Sequence, residues 1–215
     1  MSNRRERLRS ARLYLVCDER SDDFLGAALR GGVDIVQLRM KNCTDHAILA
    51  AARRFKRACE EHGALLILND RPELAAAADA DGVHVGQDDA PVAVARRVVG
   101  SERLVGLSTH TPAQVEAAAS AGVDYIGVGP VNETPTKPGR PAVGLELVRY
   151  ASSRAPVSFF AIGGISTANA AAVRDAGARR IAVVRALTGA IDPQAVAREL
   201  RDAITRASEA SVGAA

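Results

Sequence analysis

Residues capable of chemistry recur in this chain directly after short apolar runs. They could bind anions, ligate a metal ion or donate hydrogen bonds, and in chain order they are Gln37, Arg39, Lys41, Asn69, Asp70, Asp88, Asp89, Ser108, His110, Thr134, Thr136, Lys137, Gly163 and Gly164. In parallel barrels and doubly wound sheets the C-terminal ends of the strands lie on one face, and the chemistry takes place there. The sequence therefore predicts one composite active site.

Lysine is scarce in this arginine-rich chain, which has only Lys41, Lys56 and Lys137. Two of them, Lys41 and Lys137, fall in predicted loops that follow strands. A compact ammonium group on a flexible stem can follow a departing phosphate more readily than a rigid guanidinium group. Either lysine alone is typical of a solvated loop, but together with Arg39 they favour an anion-binding site.

Asp70 and Asp89 follow the third and fourth predicted strands. A barrel would place them side by side on one rim, where two carboxylates and substrate phosphate oxygens could hold Mg²⁺. The alternative is helix capping, because each aspartate comes two residues before a proline that could begin a helix. Capping explains one aspartate well, but it does not explain why carboxylates recur at adjacent strand ends beside cations.

The loop at 132–141 carries two hydroxyl groups, Thr134 and Thr136, and the cation Lys137. These donors suit a polyphosphate, and a polar loop of this length can also act as a lid; the alternative is a plain surface loop. Downstream, Gly163 and Gly164 precede a predicted helix start, where bare backbone N–H groups could hold a monophosphate. A glycine pair alone is a weak signal, because tight turns explain most of them.

The histidines, taken alone, give little indication of function. His84 lies within an apolar run and is more typical of a hydrogen-bonded histidine in a barrel interior than of a ligand. His110 follows Ser108 at a strand end, where a chemical role and a loop-orienting role are equally compatible with its position. The sequence contains no convincing Ser-His-Asp or Cys-His arrangement and no zinc-ligand spacing.

The elements that must position these residues alternate along the chain. Runs rich in Val, Ile and Leu predict eight strands, at 12–17, 34–39, 65–69, 82–86, 104–108, 124–129, 157–162 and 180–185. The clearest helices between them are predicted at 44–62, 111–121, 166–176 and 192–208. Their start signals are Thr44, Thr111, Ser166 and Asp192, and glycines that follow helical stretches are Gly63, Gly122 and Gly177.

Eight strand–helix units in 215 residues predict an α/β fold, a (β/α)₈ barrel of the TIM type. We expect a single domain over 1–215, with a basic N-terminal arm at 1–11 and a C-terminal tail at 209–215. An open flavodoxin-like or Rossmann sheet is the alternative. Against it, no GxGxxG motif follows the first strand.

Composition excludes several classes of function. The formal net charge of +3 is spread along the chain without basic blocks interleaved with aromatic residues, so nucleic-acid binding is not indicated. No apolar run approaches the length of a membrane span, and the N-terminal stretch lacks the apolar region of a signal peptide. Three cysteines without CxxC spacing are expected to stay reduced. We therefore expect a cytoplasmic enzyme without a membrane partner.

Six motifs in order resemble the thiamine-phosphate synthase family. QLRMK is similar to that family's Q-x-R-x-K, LILND to its metal-binding ND, HVGQDD to its GQ-[DE]-D, GLSTHT to its S-x-H-T and GVGPVNETPTKPG to its GP-V/I-x-x-T-x-T-K loop, and AIGGIS completes the set. The resemblance runs from about Leu13 to Ile204. Any one of these motifs would mean little, but six at matching spacing are highly specific.

The resemblance implies a barrel enzyme that joins a hydroxymethylpyrimidine pyrophosphate to a hydroxyethylthiazole phosphate, with Mg²⁺ as cofactor. It implies metal binding by Asp70 and Asp89, and catalytic roles for Arg39, Ser108 and Lys137. The substrate-binding set that it implies is Gln37 on the pyrimidine, Arg39, Lys41, Asn69 and Lys137 on the pyrophosphate, Ser108 at the reacting centre, and Thr134, Thr136, Gly164 and Val184 on the thiazole phosphate side. Arg185 stands where the family often has serine, and a guanidinium there could contact the same phosphate.

Two further functions fit the same fold. A thiazole tautomerase would use a histidine near His110 for proton transfer and would need no pyrophosphate-binding residues, so the Q-x-R-x-K and T-x-T-K motifs argue against it. A non-catalytic ligand-binding regulator would tolerate loss of the metal-binding aspartates, which are present. The expected partners are small-molecule substrates and, as a possibility left open, further copies of the chain.

Overall fold

The computed structural model describes residues 4–134 and 141–206, and eight strands lie within these ranges. The strands are β1 (Leu13–Cys17), β2 (Ile35–Leu38), β3 (Leu65–Asn69), β4 (Gly82–Val85), β5 (Leu104–Thr109), β6 (Tyr125–Val128), β7 (Ser158–Ile162) and β8 (Ile181–Val183). The helices are α1 (Arg4–Ser10), α2 (Asp22–Arg30), α3 (Asp45–Glu61), α4 (Pro72–Ala77), α5 (Val92–Val99), α6 (Pro112–Ala117), α7 (Gly144–Arg154), α8 (Ala170–Asp175), α9 (Arg185–Thr188) and α10 (Pro193–Thr205).

The sheet closes on itself. Each strand pairs in parallel with the next in chain order, and β8 pairs with β1 through Leu13 opposite Ile181 and Leu15 opposite Val183. An open sheet would leave two unpaired edges, so this closure confirms the predicted (β/α)₈ barrel and excludes the open-sheet alternative. All C-terminal strand ends consequently meet at one end of the barrel.

Local sequence signals account for several helix ends. The side chains of Thr44, Thr111 and Asp192 accept hydrogen bonds from backbone N–H groups in the first turns of α3, α6 and α10, as capping residues do. Gly63 and Gly122 adopt positive φ angles of 68° and 75° in open surroundings, which is why glycine ends these helical stretches before the next strand.

Several predicted element bounds differ from the structure; the helix predicted at 111–121, for example, ends at Ala117. The helix predicted at 166–176 begins only at Ala170, because the Asn169 side chain accepts from the backbone N–H of Ser166 and closes a turn there. The last strand was predicted to reach residue 185 but ends at Val183, and Arg185 is the first residue of α9. The prediction of Ser166 as a helix cap is therefore wrong.

The core has two layers. The larger layer packs the outward-facing strand residues against the surrounding helices and includes Leu66, Val83 and Phe55. The smaller layer fills the barrel interior with Leu8, Ala11, Tyr14, Val16, Ile35, Leu65, Ile67, Leu104, Tyr125, Phe160 and Ala182. Because interior residues occupy the barrel, it is a packed core rather than a pore.

The segment predicted as a basic arm contains α1, which covers the N-terminal end of the barrel. Leu8 is buried there, and the Arg7 guanidinium donates to the backbone oxygen of Ala64 at 2.6 Å. Arg4 Nε lies 2.9 Å from Asp81 Oδ1, and Arg5 Nε lies 2.8 Å from Asp124 Oδ1. These pairs attach α1 to residues that immediately precede β4 and β6. In the part of the chain that the structure describes, no helix is long and apolar enough to cross a bilayer.

Candidate active site

One cavity of about 470 Å³ opens among the C-terminal strand ends. The described residues that the sequence singled out as metal-binding, catalytic or substrate-binding all lie on its wall, namely Gln37, Arg39, Lys41, Asn69, Asp70, Asp89, Ser108, Thr134, Gly164, Val184 and Arg185. Thr136 and Lys137 lie outside the described residues, and their roles stay predictions. The barrel thus brings together residues spread over 149 positions of sequence, from 37 to 185 inclusive.

Neither aspartate of the predicted metal site caps a helix. The residue at the start of α4 is Arg71 and the one at the start of α5 is Pro91, and neither helix receives a side-chain capping bond. Asp89 Oδ2 instead accepts from the backbone N–H of Gly86 at 2.8 Å. The capping alternative is therefore wrong for both carboxylates.

The surroundings of Asp70 disfavour its negative charge. Burial raises the pKa of the Asp70 carboxyl, and the hydrogen bond and charge of Asp89 raise it further, against the opposing effect of Lys41. Lys41 Nζ lies 3.4 Å from Asp70 Oδ2. Two carboxylates that face one another beside a single ammonium group would be stabilised by an additional cation.

The donor set fits Mg²⁺. Asp70 and Asp89 supply two hard oxygen donors, and the described residues contain no group of three or more His, Cys, Asp or Glu side chains that would form an all-protein metal cage. Mg²⁺ is commonly held by one or two carboxylates, with water and substrate phosphate oxygens completing its coordination. Asp70 adopts a left-handed backbone conformation, with φ of 62°, which aspartate tolerates better than most residues.

The glycine pair after β7 fits closely against the loop after β6. A Cβ atom at Gly163, where φ is 110°, would lie 2.5 Å from the Cα atom of Pro130. A Cβ atom at Gly164 would lie 2.8 Å from the Cβ atom of Asn132. Close packing and positive φ therefore require both glycines, whatever the ligand, and they also form part of the cavity wall.

Three aromatic residues on the cavity wall were missed by sequence reasoning. Tyr14, Tyr125 and Phe160 are buried in the barrel interior, and their rings meet edge to face with centroids 5.3 to 6.0 Å apart. Burial raises the pKa of both tyrosines well above its usual range, so both hydroxyls stay protonated at neutral pH. In the sequence all three look like ordinary strand residues. For the two tyrosines, the signal that could have found them is a hydroxyl-bearing ring within an apolar run.

The two histidines near the cavity are both hydrogen-bonded. His84, in β4, lies 3.2 Å from the Tyr125 hydroxyl through Nδ1 and 3.0 Å from Ser108 Oγ through Nε2. His110 bonds to the backbone oxygen of Gly129 through Nδ1. His84 thus has the hydrogen-bonded interior position that the sequence favoured, while both rings also reach the cavity wall.

Comparison with known proteins decides the family. A family model described as thiamine monophosphate synthase matches residues 13–187. The chain belongs to this family. A thiamine-phosphate synthase from Thermobifida fusca is 51% identical over 214 residues, covering 96% of this chain and 98% of that protein.

Other relatives are longer. A thiamine-phosphate synthase from Thermosynechococcus vestitus is 47% identical over 92% of this chain, but the matched part spans only 57% of that protein. Among solved structures, a thiamine phosphate pyrophosphorylase from Pyrococcus furiosus is 31% identical, with a TM-score of 0.84 over 94% of this chain and 98% of that one. The similarity between this chain and the family therefore covers nearly the whole barrel.

Proposed function

We propose that this protein is a thiamine-phosphate synthase of the transferase class. It would couple 4-amino-5-hydroxymethyl-2-methylpyrimidine pyrophosphate with 4-methyl-5-(2-hydroxyethyl)thiazole phosphate to give thiamine phosphate and pyrophosphate. The proposal is carried by one observation: in a member of this family, one cavity has on its wall every described residue that the motifs singled out as a site residue.

The chemistry needs a good leaving group and a stabilised carbon centre. The bond between the pyrimidine methylene and its oxygen breaks, and its electron pair leaves with pyrophosphate. The electron-rich pyrimidine stabilises the carbocation-like methylene, and the thiazole nitrogen lone pair then forms the new carbon–nitrogen bond. No protein nucleophile is required. The protein's contribution is to position both rings and to stabilise the departing negative charge.

We assign binding of the pyrophosphate group of the pyrimidine substrate to the polar residues that follow β2 and β3. Arg39, Lys41 and Asn69 would bind the pyrophosphate, and Gln37 would bind the pyrimidine. Mg²⁺ bound by Asp70 and Asp89 would supply positive charge to the leaving oxygens. The position of Lys41 Nζ, 3.4 Å from Asp70 Oδ2, supports a contact of this lysine with the same group.

We assign the thiazole phosphate to a different part of the wall. Gly164, Val184 and Arg185 follow β7 and β8, where barrels often bind phosphate. Thr134 would contribute a hydroxyl from the loop after β6. Arg185 would replace the neutral hydroxyl that is frequent in the family with a charged, potentially bidentate donor.

The direct test mixes the two phosphorylated heterocycles with the protein and Mg²⁺. We expect thiamine phosphate and pyrophosphate to form in equal amounts, measured by chromatography and by a coupled pyrophosphate assay. Omission of either heterocycle is the control and should abolish pyrophosphate release. Isomerisation of the thiazole without coupling would instead support a tautomerase, and binding without turnover would support a regulator.

Replacing His110 with alanine separates coupling from isomerisation. Departure of pyrophosphate needs no general base at this position, so we expect His110→Ala to keep its coupling rate within about tenfold of the unmodified protein. A tautomerase that used this histidine for proton transfer would lose about a hundredfold or more. Initial rates of both reactions decide between the two, and a hundredfold loss of coupling would contradict the proposed mechanism.

A further inference from the structure

A chain of hydrogen bonds crosses the barrel interior beneath the cavity. Gln37 Nε2 donates to the Tyr14 hydroxyl at 2.7 Å, and the Tyr14 and Tyr125 hydroxyls lie 2.9 Å apart. The Tyr125 hydroxyl lies 3.2 Å from His84 Nδ1, and His84 Nε2 lies 3.0 Å from Ser108 Oγ. Five side chains from five different strands are thereby linked from one wall of the cavity to the other.

The donor at one end of this chain is compatible with one continuous direction of donation through all four bonds. Each tyrosine hydroxyl has one proton, because burial keeps both tyrosines neutral. Tyr14 accepts from Gln37, which leaves its own proton available for Tyr125, although either hydroxyl of this pair could be the donor. In that arrangement Tyr125 donates to His84 Nδ1, and the proton of the neutral ring is on Nε2.

A glycine in the strand between them leaves space for the contact between Tyr125 and His84. Gly106, in β5, pairs with His84 on one side and with Tyr125 on the other. A Cβ atom at Gly106 would lie 2.6 Å from His84 Nδ1 and 2.5 Å from the Tyr125 hydroxyl oxygen. Any side chain at this position would therefore push the two rings apart, and glycine permits their hydrogen bond.

We infer that His84, held by Tyr125 in the tautomer protonated at Nε2, is a positioning residue that turns the hydroxyl proton of Ser108 toward the leaving pyrophosphate. His84 Nε2–H donates to Ser108 Oγ, so the hydroxyl proton of Ser108 points away from His84. A hydroxyl oriented in advance can donate to the developing negative charge without reorganisation. This inference rests on the proposed coupling reaction and adds a role for His84 and Tyr125, to which the resemblance assigned none.

Nuclear magnetic resonance of the free protein tests the hydrogen-bond direction without substrate. In protein labelled with ¹⁵N at histidine, we expect the His84 ring to carry its proton on Nε2 and none on Nδ1. Loss of signals in His84→Gln assigns the ring among the four histidines of the chain. A proton on Nδ1 would show that the bonds run in the opposite direction and would overturn the inference.

Two matched tyrosine variants locate the residue that holds the ring. Tyr125→Phe removes the donor to Nδ1, so we expect the other tautomer or the charged ring to become populated. Tyr14→Phe removes the bond that orients Tyr125 but keeps the Tyr125 hydroxyl as a donor, so the Nε2 tautomer should be lost to a smaller extent than in Tyr125→Phe. Thermal melting checks that both variants fold. An unchanged His84 spectrum in folded Tyr125→Phe would overturn the assigned role of Tyr125.

Kinetics of two amide substitutions at His84 test the effect on Ser108. A glutamine side chain can place its NH₂ group near the original Nε2 position, whereas the shorter asparagine cannot. We expect kcat of His84→Asn to fall about tenfold below that of His84→Gln, with similar KM for the pyrimidine substrate. Equal kcat values in two active variants would overturn the positioning role. Absence of coupling by the unmodified protein would instead overturn the proposed function, and the spectra would still report the tautomer.

Discussion

Replacing Asp89 with asparagine should lower kcat of the coupling reaction by about a hundredfold or more, the usual cost of removing one group that stabilises a developing charge. Asp70→Asn should have a similar effect. Asparagine keeps the side-chain shape and tolerates the left-handed backbone at Asp70, so the loss reflects charge rather than local unfolding. In both variants we expect the Mg²⁺ concentration for half-maximal rate to rise, because one anionic oxygen ligand is lost.

Asp88 provides a matched control for the metal prediction. It precedes Asp89 directly in sequence and is also exposed, but it is not part of the cavity wall. Asp88→Asn removes the same unit of charge and should leave the Mg²⁺ dependence close to that of the unmodified protein. The rate is measured against Mg²⁺ concentration for all three variants. If Asp70→Asn and Asp89→Asn behave like the control, these carboxylates do not bind the metal.

Replacing Asp81 with alanine should lower the free energy of unfolding by about 3–5 kcal/mol, as removal of one partner from a buried ion pair does. The Asp81 side chain is 5% exposed and lies 2.9 Å from Arg4 Nε and 3.6 Å from Lys56 Nζ. Its second oxygen accepts from the backbone N–H of Leu66 at 2.9 Å. Alanine would remove all three contacts, one of which is among those that attach the N-terminal helix to the barrel.

An exposed ion pair supplies the control for the stability prediction. Asp175 pairs with Arg174 at 2.9 Å on α8, but the Asp175 side chain is 50% exposed. Asp175→Ala should change the free energy of unfolding by only about 0–1 kcal/mol. In thermal melts, Asp81→Ala should lower Tm by roughly 6–20 °C for a chain of this size. Equal Tm shifts in Asp81→Ala and Asp175→Ala would show that burial does not increase the contribution of the Asp81 contacts to stability.

Much of the site could be anticipated from the chain alone, because the pattern of a parallel barrel is largely local. Continuous apolar runs mark strands buried on both faces, and polar residues at their C-terminal ends must meet once the sheet closes. Gln37, Asn69 and Ser108 were located in this way. Helix bounds were less well predicted, as at Ser166, where the Asn169 side chain closes a turn before the helix begins at Ala170.

The sequence by itself determined the barrel, the order of its strands and the identity of the polar residues at its rim, since these depend on periodicity and on motifs along the chain. Only the tertiary structure decided whether Asp70 and Asp89 cap helices, because both readings use the same residues at the same spacing. It alone revealed the hydrogen-bonded chain through Tyr14, Tyr125 and His84. Such a chain joins strands far apart in sequence, and its direction follows from which donors and acceptors closure of the barrel brings within bonding distance.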